Sequence, residues 1–217
     1  MDNRFSNQHY SPYLDSTAKR CLDIIVCLIL LIPAVLILLA VLPVVMIVDG
    51  WPVLFFQRRI GRNGREFFMP KIRTLKKHAY PNKSACSYDI EAFSTKTGRF
   101  LRRHRFDELP QIFSVLAGKM SLVGPRPELS DVVRNYSEKE LKRLCAMPGL
   151  TGLWQINAPR NQPIHKNIRY DLYYLRHASL WLDIKILVET IPFLLKAESK
   201  IFYEKNRLYT YKLSLPE

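Results

Sequence analysis

The chain has 217 residues, enough for one domain with its own core, and carries 33 Lys and Arg against 19 Asp and Glu. The net charge of +14 calls for an anionic partner or surface: nucleic acid, a phosphorylated ligand or an anionic membrane. Four cysteines, Cys21, Cys27, Cys86 and Cys145, show no paired metal-ligand spacing, which excludes a zinc, haem or iron–sulfur motif and favours a reducing compartment.

Residues 1–18 read as a tail. The stretch 24–48 then contains no charged residue. It is about 25 residues long, roughly 37 Å as a helix, against roughly 30 Å of bilayer hydrocarbon. Residues 19–50 are therefore expected to enter a membrane. A cleaved signal peptide does not fit, because the run is too long, starts late and is followed by Asp49-Gly50-Trp51-Pro52. Lys19 and Arg20 precede the run, and Arg58, Arg59, Arg62 and Arg65 follow it. Positive charge prefers the cytoplasmic side. A spanning helix would export one cluster, whereas a re-entrant hairpin keeps both inside. Pro33 would supply the bend of a hairpin, yet spanning helices tolerate proline too. The residues alone leave both topologies open.

Residues 51–199 read as a globular domain. Stretches 53–58 and 66–72 predict two strands around the turn Gly61-Arg62-Asn63-Gly64, a β-hairpin. Residues 78–95 lack periodicity and read as a loop with short pieces. Residues 97–103 predict a short helix. Leu109, Ile112, Phe113 and Leu116 fall at helical spacing, with Gly118 as the stop. Asp107 stands at the start of that helix and Pro110 in its first turn. Ser137 and Glu140 form a capping box for a helix over 137–146, ended by Pro148-Gly149. Residues 151–157 are expected to be extended and 168–175 helical. Leu180, Trp181, Ile184, Leu187, Val188, Ile191 and Leu195 make an apolar helical stripe, expected mostly in the core. Trp181, with Tyr170, Tyr173 and Tyr174 nearby, equally suits a membrane interface. Residues 200–217 read as a solvated or membrane-resting tail.

Asp107 and Glu108 lie side by side after Arg99, Arg102, Arg103 and Arg105. Guanidinium groups fork onto phosphate oxygens. Carboxylates hold a divalent cation or attack phosphorus. A helix start favours the ionised carboxylate, the form an attacking group needs. A plain N-cap, worth about 1 kcal/mol, also explains an acid at this position.

Lys71-Ile72-Arg73-Thr74-Leu75, the basic run 97–102, Asp107-Glu108-Leu109-Pro110-Gln111 and Gly124-Pro125-Arg126-Pro127-Glu128 follow one another in the chain. Gly149-Leu150-Thr151-Gly152-Leu153-Trp154-Gln155, Asp171-Leu172-Tyr173-Tyr174 and the run 179–185 come after them. In residues, order and spacing these segments resemble the bacterial sugar transferase family, the monotopic phosphoglycosyl transferases that start glycan assembly on polyprenyl phosphate. The resemblance covers the chain from Lys19 to about Lys196.

The resemblance implies transfer of a sugar-1-phosphate from a nucleotide diphosphosugar, usually a UDP-sugar, to undecaprenyl phosphate, with release of UMP. It implies that Asp107 is the nucleophile and forms a covalent phosphosugar. Glu108 would be the main ligand of Mg²⁺, with Asp107 beside it. Arg102 and Arg126 would contact phosphate, and Lys71, Arg73, Glu128, Gln155, Arg160 and Asp171 would support the site. A re-entrant membrane helix over 19–50, broken at Pro33, would hold the catalytic domain on the cytoplasmic face of the bacterial inner membrane. The expected class is thus α+β: a mostly helical membrane-associated catalytic domain with a small β-hairpin and an N-terminal re-entrant helix. Its partners would be the two substrates and membrane lipids, not nucleic acid, with a homo-oligomer left open. The product would feed exopolysaccharide, capsule, O-antigen or glycoprotein assembly. The rival is a non-enzymatic, basic, membrane-anchored protein that binds lipid or a partner, which leaves the paired carboxylates unexplained. Two places depart from the family pattern. His104-Arg105-Phe106 stands where small or polar residues are commoner, and Ala158-Pro159-Arg160 where Gly-Arg is frequent.

Overall fold

The computed structural model describes residues 10–77, 90–158 and 167–195. Its longest element is α1 (Thr17–Asp49), which contains Pro33 and Pro43. Ser16 caps its start by accepting from the Lys19 N–H at 3.2 Å. Gly50 ends it with a positive φ of 76°. Arg73 Nη2 donates to the carbonyls of Asp49 and Gly50, at 2.6 and 2.5 Å, and so satisfies the last turn. The helix runs without interruption through Pro33, the position expected to bend it. Each proline removes one bond of the ladder, and the neighbouring apolar turns carry the helix across.

The buried residues of α1 are Lys19, Asp23, Cys27, Ala34, Leu38 and Val45. Steps of four and seven place them on one face. That stripe packs on the domain along the whole helix: Cys27 and Ala34 join one core cluster, and Leu38 and Val45 join a second with Val53, Ile72 and Leu101. The outer face exposes Ile29, Ile32, Leu36, Leu39 and Ile47.

Both ends of α1 are fixed to the same body. Arg20 donates to the carbonyls of Val115 and Leu116 at 2.7 and 2.8 Å. Asp23 accepts from the Leu122 N–H at 2.9 Å and from the Ser121 hydroxyl at 3.0 Å. Lys19 Nζ, buried, reaches Asp183 Oδ2 at 2.7 Å and the Tyr174 hydroxyl at 3.0 Å. At the far end the Thr95 hydroxyl donates to Asp49 Oδ2 at 3.0 Å. The segment before α1 is docked as well: the Ser11 N–H donates to Leu175 O and the Tyr13 hydroxyl to Asp183.

β1 (Leu54–Ile60) and β2 (Glu66–Ile72) form the expected antiparallel hairpin, with Phe55 opposite Lys71 and Arg59 opposite Phe67. α2 (Ile90–Phe93) leads to α3 (Lys96–His104), whose start is capped by the Thr95 hydroxyl. A Cβ on Gly98 would meet the Thr74 carbonyl oxygen, so glycine is what lets α3 close on the chain leaving β2. Arg105 then adopts a left-handed conformation, φ 58°, and turns the chain sharply out of α3. A 3-10 turn, Phe106–Gln111, runs into α4 (Ile112–Leu116).

β3 (Ser121–Val123) pairs in parallel with β4 (Gly149–Thr151), a second small sheet that the sequence reading did not foresee. Between them lie α5 (Ser130–Val133) and α6 (Glu138–Leu141), the latter with the Ser137–Glu140 capping box. The expected helix over 137–146 continues beyond Leu141 as a 3-10 turn, Lys142–Cys145. The expected extended stretch 151–157 is corrected. Only Thr151 is in a strand, and Leu153–Asn157 forms helix α7 with Leu153, Trp154 and Ile156 all buried.

α8 (Arg169–His177) and α9 (Leu180–Leu195) complete the described chain. α9 turns its expected apolar stripe mostly outward: Leu180, Trp181, Val188 and Ile191 are exposed, and Leu187 packs only partly against the core. The face that enters the core is a different one, with Leu182, Ile186 and Asp183, the last of which meets Lys19.

Candidate active site

Asp107 and Glu108 fall in the 3-10 turn immediately after Arg105. This turn packs on β2, which carries Lys71, and on α3, which carries Arg99, Arg102 and Arg103. The site opens into a cavity of about 1280 Å³. Among the described residues, ten lysines and arginines line it, including Arg59, Lys71, Arg102, Arg103, Arg105 and Arg126, against two carboxylates, Asp107 and Glu108. Such a lining selects a multiply charged anion.

The two carboxylates are in different electrostatic states. Glu108 Oε1 stands 3.2 Å from Lys71 Nζ and 3.6 Å from Arg126 Nη2. Burial alone would raise its pKa, but the charges of Lys71, Arg126 and Arg105 outweigh burial and hold it well below the usual carboxylate range. Asp107 is only 8% exposed. Burial, reinforced by the Glu108 charge, pushes its pKa up to about 6, against the pull of Lys71 and Arg102. The helix-start effect expected to favour its anion is therefore overridden. It still leaves Asp107 mostly ionised at neutral pH.

The site residues inferred from the sequence fall into distinct places. Lys71, Arg102 and Arg126 line the cavity beside the carboxylates. Arg102 is aimed by its Nε bond to the Thr74 hydroxyl at 2.7 Å. Arg73, expected to support the site, lines the cavity while its Nη2 donates to the end of α1. Gln155 lines the cavity, buried, and neither atom of its amide has a hydrogen-bond partner among the described residues. Glu128 lies behind Arg59, at 3.8 Å. Asp171 does not line the cavity. It is buried and paired with Arg143 at 2.8 Å, so any support it gives the site passes through Arg143. Arg160 lies outside the described residues.

Sequence reasoning missed Arg59 and Arg143. Arg59 was legible in principle, since Phe55, Gln57 and Arg59 alternate along β1 and all three line the cavity. Arg143 follows the short helix α6 and carries no local signal. Its importance comes from contacts far away in the sequence.

The donor set fits a Mg²⁺ ion shared with a phosphorylated ligand. No group of three or more His, Cys, Asp or Glu that could hold a metal occurs among the described residues. Mg²⁺ commonly takes one or two carboxylates together with substrate phosphates, and the adjacent Asp107 and Glu108 supply that many.

The described residues thus enclose an acidic pair in a cationic cavity, beside a helix long and apolar enough to cross a membrane. The chain belongs to the bacterial sugar transferase family, whose sequence model matches residues 14–197. It is 40% identical over 184 residues to the UDP-glucose:undecaprenyl-phosphate glucose-1-phosphate transferase of Xanthomonas campestris pv. campestris, covering 80% of this chain and 38% of that protein. It is 36% identical over 198 residues to the galactosyl transferase CpsE of Streptococcus agalactiae serotype III, covering 86% and 44% respectively. The uncharacterized sugar transferase EpsL of Bacillus subtilis is 37% identical over 180 residues, covering 83% of this chain and 88% of that protein. The chain spans less than half the length of the first two.

Proposed function

We propose that this chain is a phosphoglycosyl transferase that moves a sugar-1-phosphate from a UDP-sugar to undecaprenyl phosphate. The observation that carries the reading is the acidic pair in the lining of a cavity that also holds ten cationic side chains. Family membership and the acceptors named for relatives in Xanthomonas and Salmonella support it.

In the first step an Asp107 carboxylate oxygen attacks the sugar-linked phosphorus. The phosphorus–oxygen bond to UMP breaks, and UMP leaves with that oxygen. In the second step a phosphate oxygen of undecaprenyl phosphate attacks the same phosphorus, and the bond to Asp107 breaks. Arg102 and Arg126 bind and orient the phosphates through both steps, and Lys71 adds positive charge beside them. Glu108, strongly anionic, is the principal holder of Mg²⁺, with Asp107 beside it. When bound, Mg²⁺ supplies charge neutralisation at the diphosphate. A shared nucleophile lets a soluble donor and a lipid acceptor use one site in turn.

The enzyme meets the bilayer from one side. A helix that crossed the membrane would leave one end far from the domain, yet both ends of α1 are bonded to it. The exposed face of α1, with Ile29, Ile32, Leu36 and Leu39, enters the apolar phase. The basic residues around the cavity then face an anionic leaflet, the cytoplasmic one, each adding roughly 1 kcal/mol of attraction.

The test is UMP release from a panel of UDP-sugars in membranes that supply undecaprenyl phosphate. At least one sugar should release UMP, and Asp107→Asn should not. Release from no sugar, or full activity of Asp107→Asn, would contradict the reading.

A further inference from the structure

The loop Gly124-Pro125-Arg126-Pro127-Glu128 has two prolines and therefore few N–H groups to anchor it. The Gly124 N–H donates to Thr151 O at 2.9 Å, and the rest of the loop is held by its carbonyls. Pro125 O accepts from the Gly149 N–H at 2.8 Å, and Glu128 O from the Ile60 N–H at 2.9 Å. Pro127 O accepts from Arg59 Nη1 at 3.2 Å. Arg126 O, in the middle, accepts from Arg143 Nη2 at 2.7 Å. Arg143 is 1% exposed and spends each nitrogen on a different partner: Nε on Asp171 Oδ2 at 2.8 Å, Nη1 on the Tyr136 hydroxyl at 3.2 Å, Nη2 on Arg126 O.

A buried ion pair is a poor stabiliser, since apolar residues of the same volume often do as well. What apolar residues cannot do is donate to the Arg126 carbonyl. On the other side of that residue its guanidinium stands 3.6 Å from Glu108. We propose that Arg143, locked in place by Asp171, is a positioning residue that fixes the Arg126 backbone so that the Arg126 guanidinium meets the substrate phosphate beside Glu108. This rests on the transferase reading for the identity of the phosphate. It assigns Asp171 a role in holding Arg143, at a distance from the substrate.

The test is a double-mutant cycle on the purified full chain. Arg143→Lys keeps a charge opposite Asp171 but has one nitrogen for three partners. It should lower kcat/KM for UMP release roughly 10- to 100-fold, as expected for a misplaced binding group. In an Arg126→Ala background the same change should cost almost nothing more, because the group it positions is gone. Tyr136→Phe should act in the same direction, more weakly, and serves where Arg143→Lys does not fold. Losses that multiply in the double variants overturn the proposal.

A second readout does not depend on turnover: the rise in unfolding temperature produced by UDP. Arg126→Ala, Arg143→Lys and Tyr136→Phe should each shrink that rise, and the last two should add nothing to Arg126→Ala. Coupled UDP shifts without UMP release from any sugar would sink the transferase reading and leave the positioning role standing. UMP release with multiplying losses would do the reverse. A chain that neither releases UMP nor gains stability from UDP overturns both.

Discussion

Asp107 and Glu108 are neighbours in the chain, but their protons respond to different surroundings. Lys71 and Arg126 sit on Glu108, whereas Asp107 is buried against the Glu108 charge. The proposed nucleophile must be ionised, so transfer should fall as pH drops through about 6, the value to which burial raises Asp107. A profile of kcat/KM against pH checks this, and a flat profile down to pH 5 would contradict it. The same shift bears on stability. The Asp107 carboxyl holds its proton more tightly folded than unfolded, where 3.8 is usual. Ionising it above about pH 6 therefore weakens the fold, and that penalty is absent below the unfolded value. Asp107→Asn should accordingly unfold at pH 7 at a temperature no lower than the unsubstituted chain, while losing transfer at least about 1000-fold. Thermal unfolding and UMP release, measured on the same preparation, separate lost chemistry from lost fold. Arg126→Ala should cost roughly 100-fold, the usual scale for removing one donor to a developing anion.

Among the elements, α1 carries the most weight. Its start is bolted to the body by Lys19, whose ammonium is 2.7 Å from Asp183 with both side chains almost fully buried. Lys19→Met would strand the Asp183 charge, at a cost of about 3–5 kcal/mol. That loss should appear as a lower unfolding temperature in detergent. The double change Lys19→Met with Asp183→Leu should recover much of it, because no buried charge is left alone. The elements also show what local sequence reveals. The hairpin, α3 and α8 were legible because alternation, capping residues and helical spacing lie within a few neighbouring positions. The turn at 107–111 was legible as a helix start. The second sheet was not, because β3 and β4 have three residues each and pair across the 25 residues between them. Helix α7 was misread because Leu153, Trp154 and Ile156 are buried on several sides, which erases both periodicities. Asp171 carried a motif but not a place, since its partner Arg143 lies 28 positions away.

At the scale of the molecule, the described residues carry both exposed apolar surface and concentrated positive charge. The apolar outer face of α1 and the exposed Trp181, Val188 and Ile191 of α9 are accompanied by a basic cavity that opens around the acidic pair. The sequence reading anticipated the long apolar element and both flanking basic clusters. It could not show that the two ends of α1 rest on one body, because that depends on contacts of Arg20 and Asp49 with residues far away. Single cysteines at Ala18 and Lys77, in a background with Cys21, Cys27, Cys86 and Cys145 replaced by serine, should be labelled by an impermeant reagent from the same side of sealed vesicles. Labelling from opposite sides would mean that α1 crosses the bilayer. Chelation by EDTA should stop transfer, and added Mg²⁺ should restore it.

Mass spectrometry of the chain incubated with a turned-over UDP-sugar, in the absence of undecaprenyl phosphate, addresses the covalent step itself. A phosphosugar adduct should map to Asp107, disappear when undecaprenyl phosphate is added, and be missing from Asp107→Asn. No adduct, together with UMP release that strictly requires undecaprenyl phosphate, would instead mean direct transfer between the two substrates and would remove Asp107 from its role.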